Sequence, residues 1–297
     1  MNFDILCGKG KPNLEEILQK LANEVNSLVD FPRLVSSVLV SIKTLFFICD
    51  EPARAQIMST KYHSGFNVCH ICKIRGEYID GSVSFPYIQN VEHRSDETYK
   101  EGKENNQVSL SPLLKIANFV SAFPTEYMHS VLLGCVKRLL QYFIKGKKNQ
   151  RFSCKMSQYD FEKVNERINT ICGFLPNDFQ RQIRDLTHYE MYKATEFRQF
   201  ILYVGPVVLQ GRIPKNDYDL FVHLHFAIYC LCSDKSSELL SIAKYCIREY
   251  LKQYERLYGV GNQTCNNHVL LHLPFLLIYM ANSTIFPAFR LRAIWVR

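Results

Sequence analysis

Apolar positions follow two different rules along this chain. In the first quarter they come in short runs. Val38-Leu39-Val40 and the stretch 45–48 are β-branched and aromatic, and Asp50-Glu51-Pro52 closes them off. A run of that kind predicts a buried strand over 38–49 that hands its last residue to a helix start, with Pro52 in the first helical turn. Upstream, Asn13 and Glu16 have capping-box spacing. Leu14, Ile17, Leu18, Leu21, Val25 and Leu28 then recur at helical intervals until Phe31-Pro32. Phe3 to Leu6 reads as a further short strand.

From Leu113 the period becomes helical. Helices are predicted at 126–145, closing at Gly146; at 159–172; at 194–209, bent at Gly205-Pro206; and at 236–258, capped by Gly259. The segment 217–232 is apolar nearly all round, which predicts a central, buried helix. Between 72 and 110 regularity falls away, and the polar stretch 92–107 reads as a solvated loop. No Asp or Glu occurs after Glu255, and the last residues have neither helical nor strand logic. The layout expected is α+β: a strand-containing part over 1–60, a cysteine-pair and polar-loop insertion over 61–112, a helical body over 113–260 and a degenerate tail over 261–297.

Composition narrows the picture slightly. A hydrophobic share of 47% in 297 residues supports a sizeable core and argues against a disordered chain. A formal charge of +8 permits nucleic-acid contact without requiring it. The eleven cysteines are odd in number, and Cys135, Cys172, Cys230, Cys232 and Cys246 lie in apolar helical patterns, where free thiols pack as small hydrophobes. The start of the chain lacks the apolar core of a signal peptide, and the run 268–281 is too short and too Pro-interrupted to span a bilayer. A reducing, intracellular setting with no membrane span is expected.

Three places carry candidate chemistry, each with an ordinary alternative. Asp50 before Glu-Pro-Ala is a standard helix cap. Read functionally, it is a ligand for a hard divalent cation, which then needs further carboxylates. Cys69-x-x-Cys72 offers two thiolates to one zinc ion or stands as a pair of unliganded thiols. A tetrahedral site needs two more ligands, for which His63 and His129, three residues after Glu126, are the best completions. A redox role is weaker, because the pair does not sit in a thioredoxin-like unit. Glu196 is either a buried acid or, with Thr195, a first-turn residue suited to the helix dipole. Lys145, Lys147, Lys148, Arg151 and Lys155 form a basic loop or a phosphate-contacting patch. Gly8-Lys9-Gly10-Lys11-Pro12 lacks phosphate-loop spacing, and no Gly-x-Ser-x-Gly, dinucleotide fingerprint or HExxH is present.

Several longer segments carry a resemblance. They are 48–55 (ICDEPARA); 63–72 (HSGFNVCHIC) with Gly76-Glu77-Tyr78 and Phe85-Pro86; 123–129 (FPTEYMH) with Leu133-Gly134-Cys135-Val136; 192–200 (YKATEFRQF); and Gly205-Pro206-Val207-Val208-Leu209. Over about residues 7–273 the chain resembles the CACTA (En/Spm-like) transposases in their animal form. That resemblance implies a partial RNase H-like core with a large, mainly α-helical insertion. It implies an Asp-Asp-Glu triad holding two Mg²⁺ or Mn²⁺ ions for cleavage and strand transfer at transposon DNA ends, a nuclear location, and self-association into a homo-oligomer. Asp50 matches the second Asp. Cys69 and Cys72, with Glu126 and His129, match the family's CxxC and acidic-x-x-His elements. The first Asp is expected ahead of the segment Cys7 to Pro12, before Met1. The family's C-terminal Phe-Pro-Phe-Glu element is here Phe286-Pro287-Ala288-Phe289-Arg290, without a Glu. Glu196 is the surviving alternative for the third acid. The expectation is a transposase remnant truncated at both ends and lacking strand transfer, or else a zinc-stabilised binding or scaffolding protein co-opted from one.

Overall fold

The computed structural model describes residues 13–30, 33–35, 38–40, 45–62, 65–147, 154–175, 179 and 181–276. Two compact units divide the chain: Met1–Arg75 with Val91–Pro124, and Gly76–Asn90 with Thr125–Arg297.

In the first unit, α1 (Leu14–Asp30) begins as its sequence requires. The Asn13 side chain accepts the Glu16 amide at 3.5 Å, and Glu15 and Glu16 lie in the first turn, where the helix dipole favours negative charge. Leu18, Ala22 and Val25 are buried along one stripe. That stripe meets the 3-10 turn Pro112–Lys115, whose Leu113 is also buried. Strands β1 (Arg33–Val35) and β2 (Val38–Val40) pair antiparallel with Leu34 opposite Leu39.

Of the strand expected over 38–49 the described part is Val38–Val40, and residues 45–50 form no ladder. Aromatic packing holds this segment instead. The Phe47 ring stacks on Phe123 at 5.0 Å, and the Phe47 amide donates to the Ala122 carbonyl at 2.8 Å. Helix α2 (Glu51–Ile57) follows directly, with Pro52 in its first turn.

The stretch expected to be a solvated loop is part of the core. It contains α3 (Asp96–Lys100), opened by a Ser95/Thr98 capping box, and it buries Arg94, Tyr99, Glu104 and Asn106. These polar groups tolerate burial because they bond to one another. Arg94 pairs with Glu104, Asn106 Nδ2 donates to the Tyr99 hydroxyl at 2.9 Å, and that hydroxyl donates to the His70 carbonyl at 3.1 Å.

The second unit opens with a hairpin, β3 (Glu77–Ile79) and β4 (Ser82–Ser84). Its two turn residues, Asp80 (φ 51°) and Gly81 (φ 85°), both take the left-handed conformation that matches strand twist in two-residue hairpins. The chain after it is anchored by Phe85 N–H to the Gln263 carbonyl (2.7 Å) and Tyr87 N–H to the Glu255 carboxylate (2.7 Å).

The helical body comes next. A π-helical turn, Met128–Val136, runs into α4 (Lys137–Lys145), which ends at Gly146 with φ +71°. Then follow α5 (Gln158–Cys172) and α6 (Ala194–Gln199). A second π-helical turn, Phe200–Val204, leads into α7 (Gly205–Val208). Helices α8 (Lys215–Cys232) and α9 (Leu240–Tyr258) pack along each other, and α10 (Cys265–His268) closes the described chain with the turn Val269–His272 and the residues up to Leu276. Phe143, Phe197, Phe200, Phe221, Tyr250 and Tyr254 fill the centre. α8 is not buried all round: Phe226 and Tyr229 are about half exposed, at 48% and 51%. Its buried residues are Asp217, Leu220, Phe221, Leu224, Ala227, Ile228, Cys230 and Leu231.

The His225 ring bonds to the second π turn, Nδ1 to the Ile201 carbonyl at 2.7 Å. Just beyond, Gly205 has no room for a side chain. A Cβ there would stand 2.5 Å from Phe221 Cζ and 2.8 Å from the Phe200 carbonyl oxygen. Alanine normally stabilises a helix relative to glycine by about 1 kcal/mol, so the sign is diagnostic. Gly205→Ala is expected to lose about 1–3 kcal/mol in thermal or urea unfolding, and a stabilised variant would contradict this packing.

Among the described residues the strands form only two-stranded antiparallel hairpins. The fold is mixed α+β, with helix dominant.

Candidate metal centre

Cys69 and Cys72 are fully buried in the first unit. The turn that carries them is pinned by the segment 92–94. Lys73 N–H donates to the Glu92 carbonyl (2.8 Å), Arg94 N–H to the Ile71 carbonyl (2.9 Å) and Arg94 Nε to the Cys69 carbonyl (2.9 Å). His70, between the cysteines, bonds through Nε2 to the Phe123 carbonyl at 2.8 Å. The Cys72 thiol is driven well above the usual range by its hydrogen bond with Cys69 and by burial, while Arg94 pulls weakly the other way. Without a cation the Cys72 thiol therefore keeps its proton, and a thiophilic metal that binds must displace it.

In the second unit, His268 and His272 are one helical turn apart and each is only 3% exposed. Their Nε2 atoms are 3.2 Å apart. Two imidazole nitrogens on a tetrahedral zinc, each about 2.0–2.1 Å from the metal, would be separated by about 3.3–3.4 Å. Neighbouring groups hold this helix in place. Tyr250 donates to Asn267 Oδ1 (3.3 Å), Asn267 Nδ2 donates to Gln263 Oε1 (3.2 Å), and the Phe85 ring lies 6.1 Å from the His268 ring. Supporting contacts of this kind orient metal-binding imidazoles.

Cys69, Cys72, His268 and His272 make up a buried Cys2His2 group that can hold a metal such as zinc. Among the described residues no other group of three or more Cys, His, Asp or Glu donors comes together.

The remaining predicted ligands among the described residues serve local structure. His63 lies outside the described residues. The His129 ring is bonded to Glu126 (Nδ1 to Oε2, 2.8 Å), and the same carboxylate accepts the amides of Met128 and His129. Neither Glu126 nor His129 belongs to the Cys/His group. Asp50 is the N-cap of α2, its Oδ1 accepting the Ala53 amide at 2.9 Å, on irregular backbone rather than at a strand tip. Asp50→Ala is therefore expected to cost about 1 kcal/mol of stability in urea unfolding, the usual cost of losing a cap.

Glu196 is buried and held by Arg184 through Nε (2.7 Å) and Nη2 (2.8 Å), and it accepts the Lys193 amide at 2.8 Å. Burial works against its ionisation, but the Arg184 and Lys193 bonds outweigh it and its pKa falls below the ordinary carboxylate value. The pair's stabilisation is thus present above the usual glutamate range and lost as pH drops through the lowered value. Of the basic cluster, Lys145 pairs with Glu190 (2.5 Å) and Lys147 donates to Asn262 (2.5 Å), while Lys148 and Arg151 lie outside the described residues.

The sequence signal for the two missed ligands is the spacing His268-x-x-x-His272, which with Cys69-x-x-Cys72 gives the C-x2-C and H-x3-H pairs common in zinc sites. No helix among the described residues is long and apolar enough to cross a membrane. Compared with protein-family models, curated proteins and solved structures, the chain finds no match.

Proposed function

We propose that this chain is a transposase-derived protein in which a structural zinc has outlasted the catalytic metal chemistry, leaving a binding or scaffolding module. The observation that carries this reading is the buried Cys2His2 group. Four protein donors fill a tetrahedral zinc and leave no open position for water or substrate, which is the pattern of structural rather than catalytic sites. The carboxylates support the same reading, because each already has a local task. Asp50 caps a helix, Glu126 holds His129 and two amides, and Glu196 is neutralised by Arg184. Two-metal chemistry needs several carboxylates converging on ions about 4 Å apart.

Transposase ancestry rests on the segments around Asp50, Cys69, Glu126 and Glu196. With it come an RNase H-like origin for the N-terminal part, DNA ends as the ancestral partner, homo-oligomeric assembly and a nuclear location.

The deciding experiment is metal analysis of the purified chain beside a nicking assay. One zinc per chain is expected, lost in Cys69→Ser/Cys72→Ser, together with no Mg²⁺- or Mn²⁺-dependent cutting of supercoiled DNA. A stable, metal-free chain after zinc supplementation would refute the structural zinc. Nicking that disappears in Asp50→Asn would refute the non-catalytic reading.

A further inference from the structure

Helices α8 and α9 pack as an antiparallel pair joined by the short connection 233–239, and one ring contact fixes their register. The His223 ring meets the Tyr245 ring at 6.4 Å. Three residues forward along α8 and three back along α9, Phe226 therefore stands opposite Ile242. Ile242 is 47% exposed and Tyr245 61%, and Phe226 and Tyr229 are half exposed beside them. Single exposed apolar residues are ordinary, but these four are neighbours. A large aromatic side chain carries about 150–250 Å² of surface, so the four leave roughly 400 Å² in contact with water. That lies in the range of about 300–600 Å² in which patches on single chains are often functional. It falls well short of the about 800 Å² per partner of a stable two-protein interface, so it fits one face of a short segment better than a second copy of this chain.

Positive charge borders this patch on one side. The helical period puts Ile242 on one side of Tyr245, toward Phe226, and Arg248 and Lys244 on the other. Lys252 and Arg256 continue that basic edge at four-residue spacing, and all four cations are exposed. Lys252 is tied to Glu249 at 3.0 Å, whereas no carboxylate pairs with Lys244 or Arg248 among the described residues. Glu238, one turn before Ile242, is exposed as well. An evenly charged polyanion, whether a nucleic-acid strand or an anionic lipid surface, would set negative charge against Glu238 and Glu249 too. A helix with an apolar face and an acidic flank meets the rings with one side and the unpaired cations with the other.

We propose that the α8–α9 surface around Phe226, Ile242 and Tyr245 docks an acidic amphipathic helix of a partner protein, its apolar face on the rings and its carboxylates along Lys244 and Arg248. This rests on the reading of the chain as a binding module and names the class of partner. The surface lies wholly within the second unit and uses none of the zinc ligands.

The test is a fluorescence-anisotropy titration of the zinc-loaded full chain with a labelled synthetic helix of about 18 residues, leucine on one face and glutamate on the rest. A scrambled peptide of the same composition and a lysine-for-glutamate version serve as controls. Saturable binding of the acidic amphipathic helix alone is expected, weakening as salt is added. Phe226→Ser and Tyr245→Ser should each weaken it about tenfold or more, the scale of a central aromatic anchor. Lys244→Glu/Arg248→Glu should weaken it several-fold. These are surface changes, so the melting temperature and zinc content of each variant, measured alongside, separate lost docking from lost fold or lost metal. No binding by a chain that holds its zinc would overturn the docking surface and leave the structural zinc standing. Equal binding of the scrambled or lysine peptide, or by the variants, would overturn it too. So would a patch whose variants lose self-association in sedimentation, or binding to phosphatidylserine vesicles, while the acidic helix stays unbound.

Discussion

Stripping zinc from the protein is expected to lower its stability by several kcal/mol, the largest effect of any single change considered. Tetrahedral zinc sites of this donor type contribute roughly 10–16 kcal/mol of apparent binding energy in small zinc-finger peptides. A protein with its own hydrophobic core depends on the metal less completely, but four buried donors brought together without it remain unfavourable. Cys69→Ser/Cys72→Ser and His268→Ala/His272→Ala should therefore reach the same lowered melting temperature as the chelated wild type, and neither should retain zinc through gel filtration. His129→Ala and His63→Ala should keep it. Acidification should act in the same direction, because the Cys72 thiol holds its proton strongly and reclaims it as pH falls. Calorimetry with and without chelator checks all of this. Zinc retained by the double histidine variant, or lost from His129→Ala, would count decisively against the donor set.

Breaking the Arg94–Glu104 pair should have the next largest effect. Their side chains are 0% and 2% exposed, so removing one partner strands a charge in the core. Arg94→Met is expected to cost about 3–5 kcal/mol in urea unfolding. The double variant Arg94→Met/Glu104→Leu should recover much of that, because an apolar pair avoids the desolvation of both ions. Full recovery is not expected, since Arg94 also bonds the Cys69 carbonyl and Glu104 accepts the Thr98 hydroxyl. Arg94→Met should also bind zinc more weakly. If the single and double variants were equally unstable, the ion pair would not be the source of the loss.

Local rules made much of the helical body readable. Gly146 and Gly259 end helices at positive φ, and Gly205-Pro206 marks the break after the second π turn. These signals lie within a few residues of what they specify. The failures involve partners distant in sequence. The run 45–48 looks like a strand because β-branched and aromatic residues favour strands, but Phe47 satisfies the same preference by stacking on Phe123. The stretch 92–107 looks solvated because its charges are visible and their mutual pairing is not. Half of the metal group was legible for the same reason. Cys69-x-x-Cys72 announces itself, whereas His129 attracted attention as a nearer completion than His268 and His272. Asp50 was readable both as a cap and as a ligand, and the Ala53 amide decides for the cap.

If the Cys2His2 group holds zinc as proposed, the order in which the ribosome delivers its four donors has a consequence for assembly of the site. Roughly 200 residues separate the thiol pair from the imidazole pair, so at 5–20 residues per second the sulfurs wait about 10–40 s for their partners. During that interval the nascent cysteines are open to oxidation or to capture by other metal-binding molecules. On that reading, zinc supply and thiol-reducing capacity during translation would limit how much correctly assembled product is obtained.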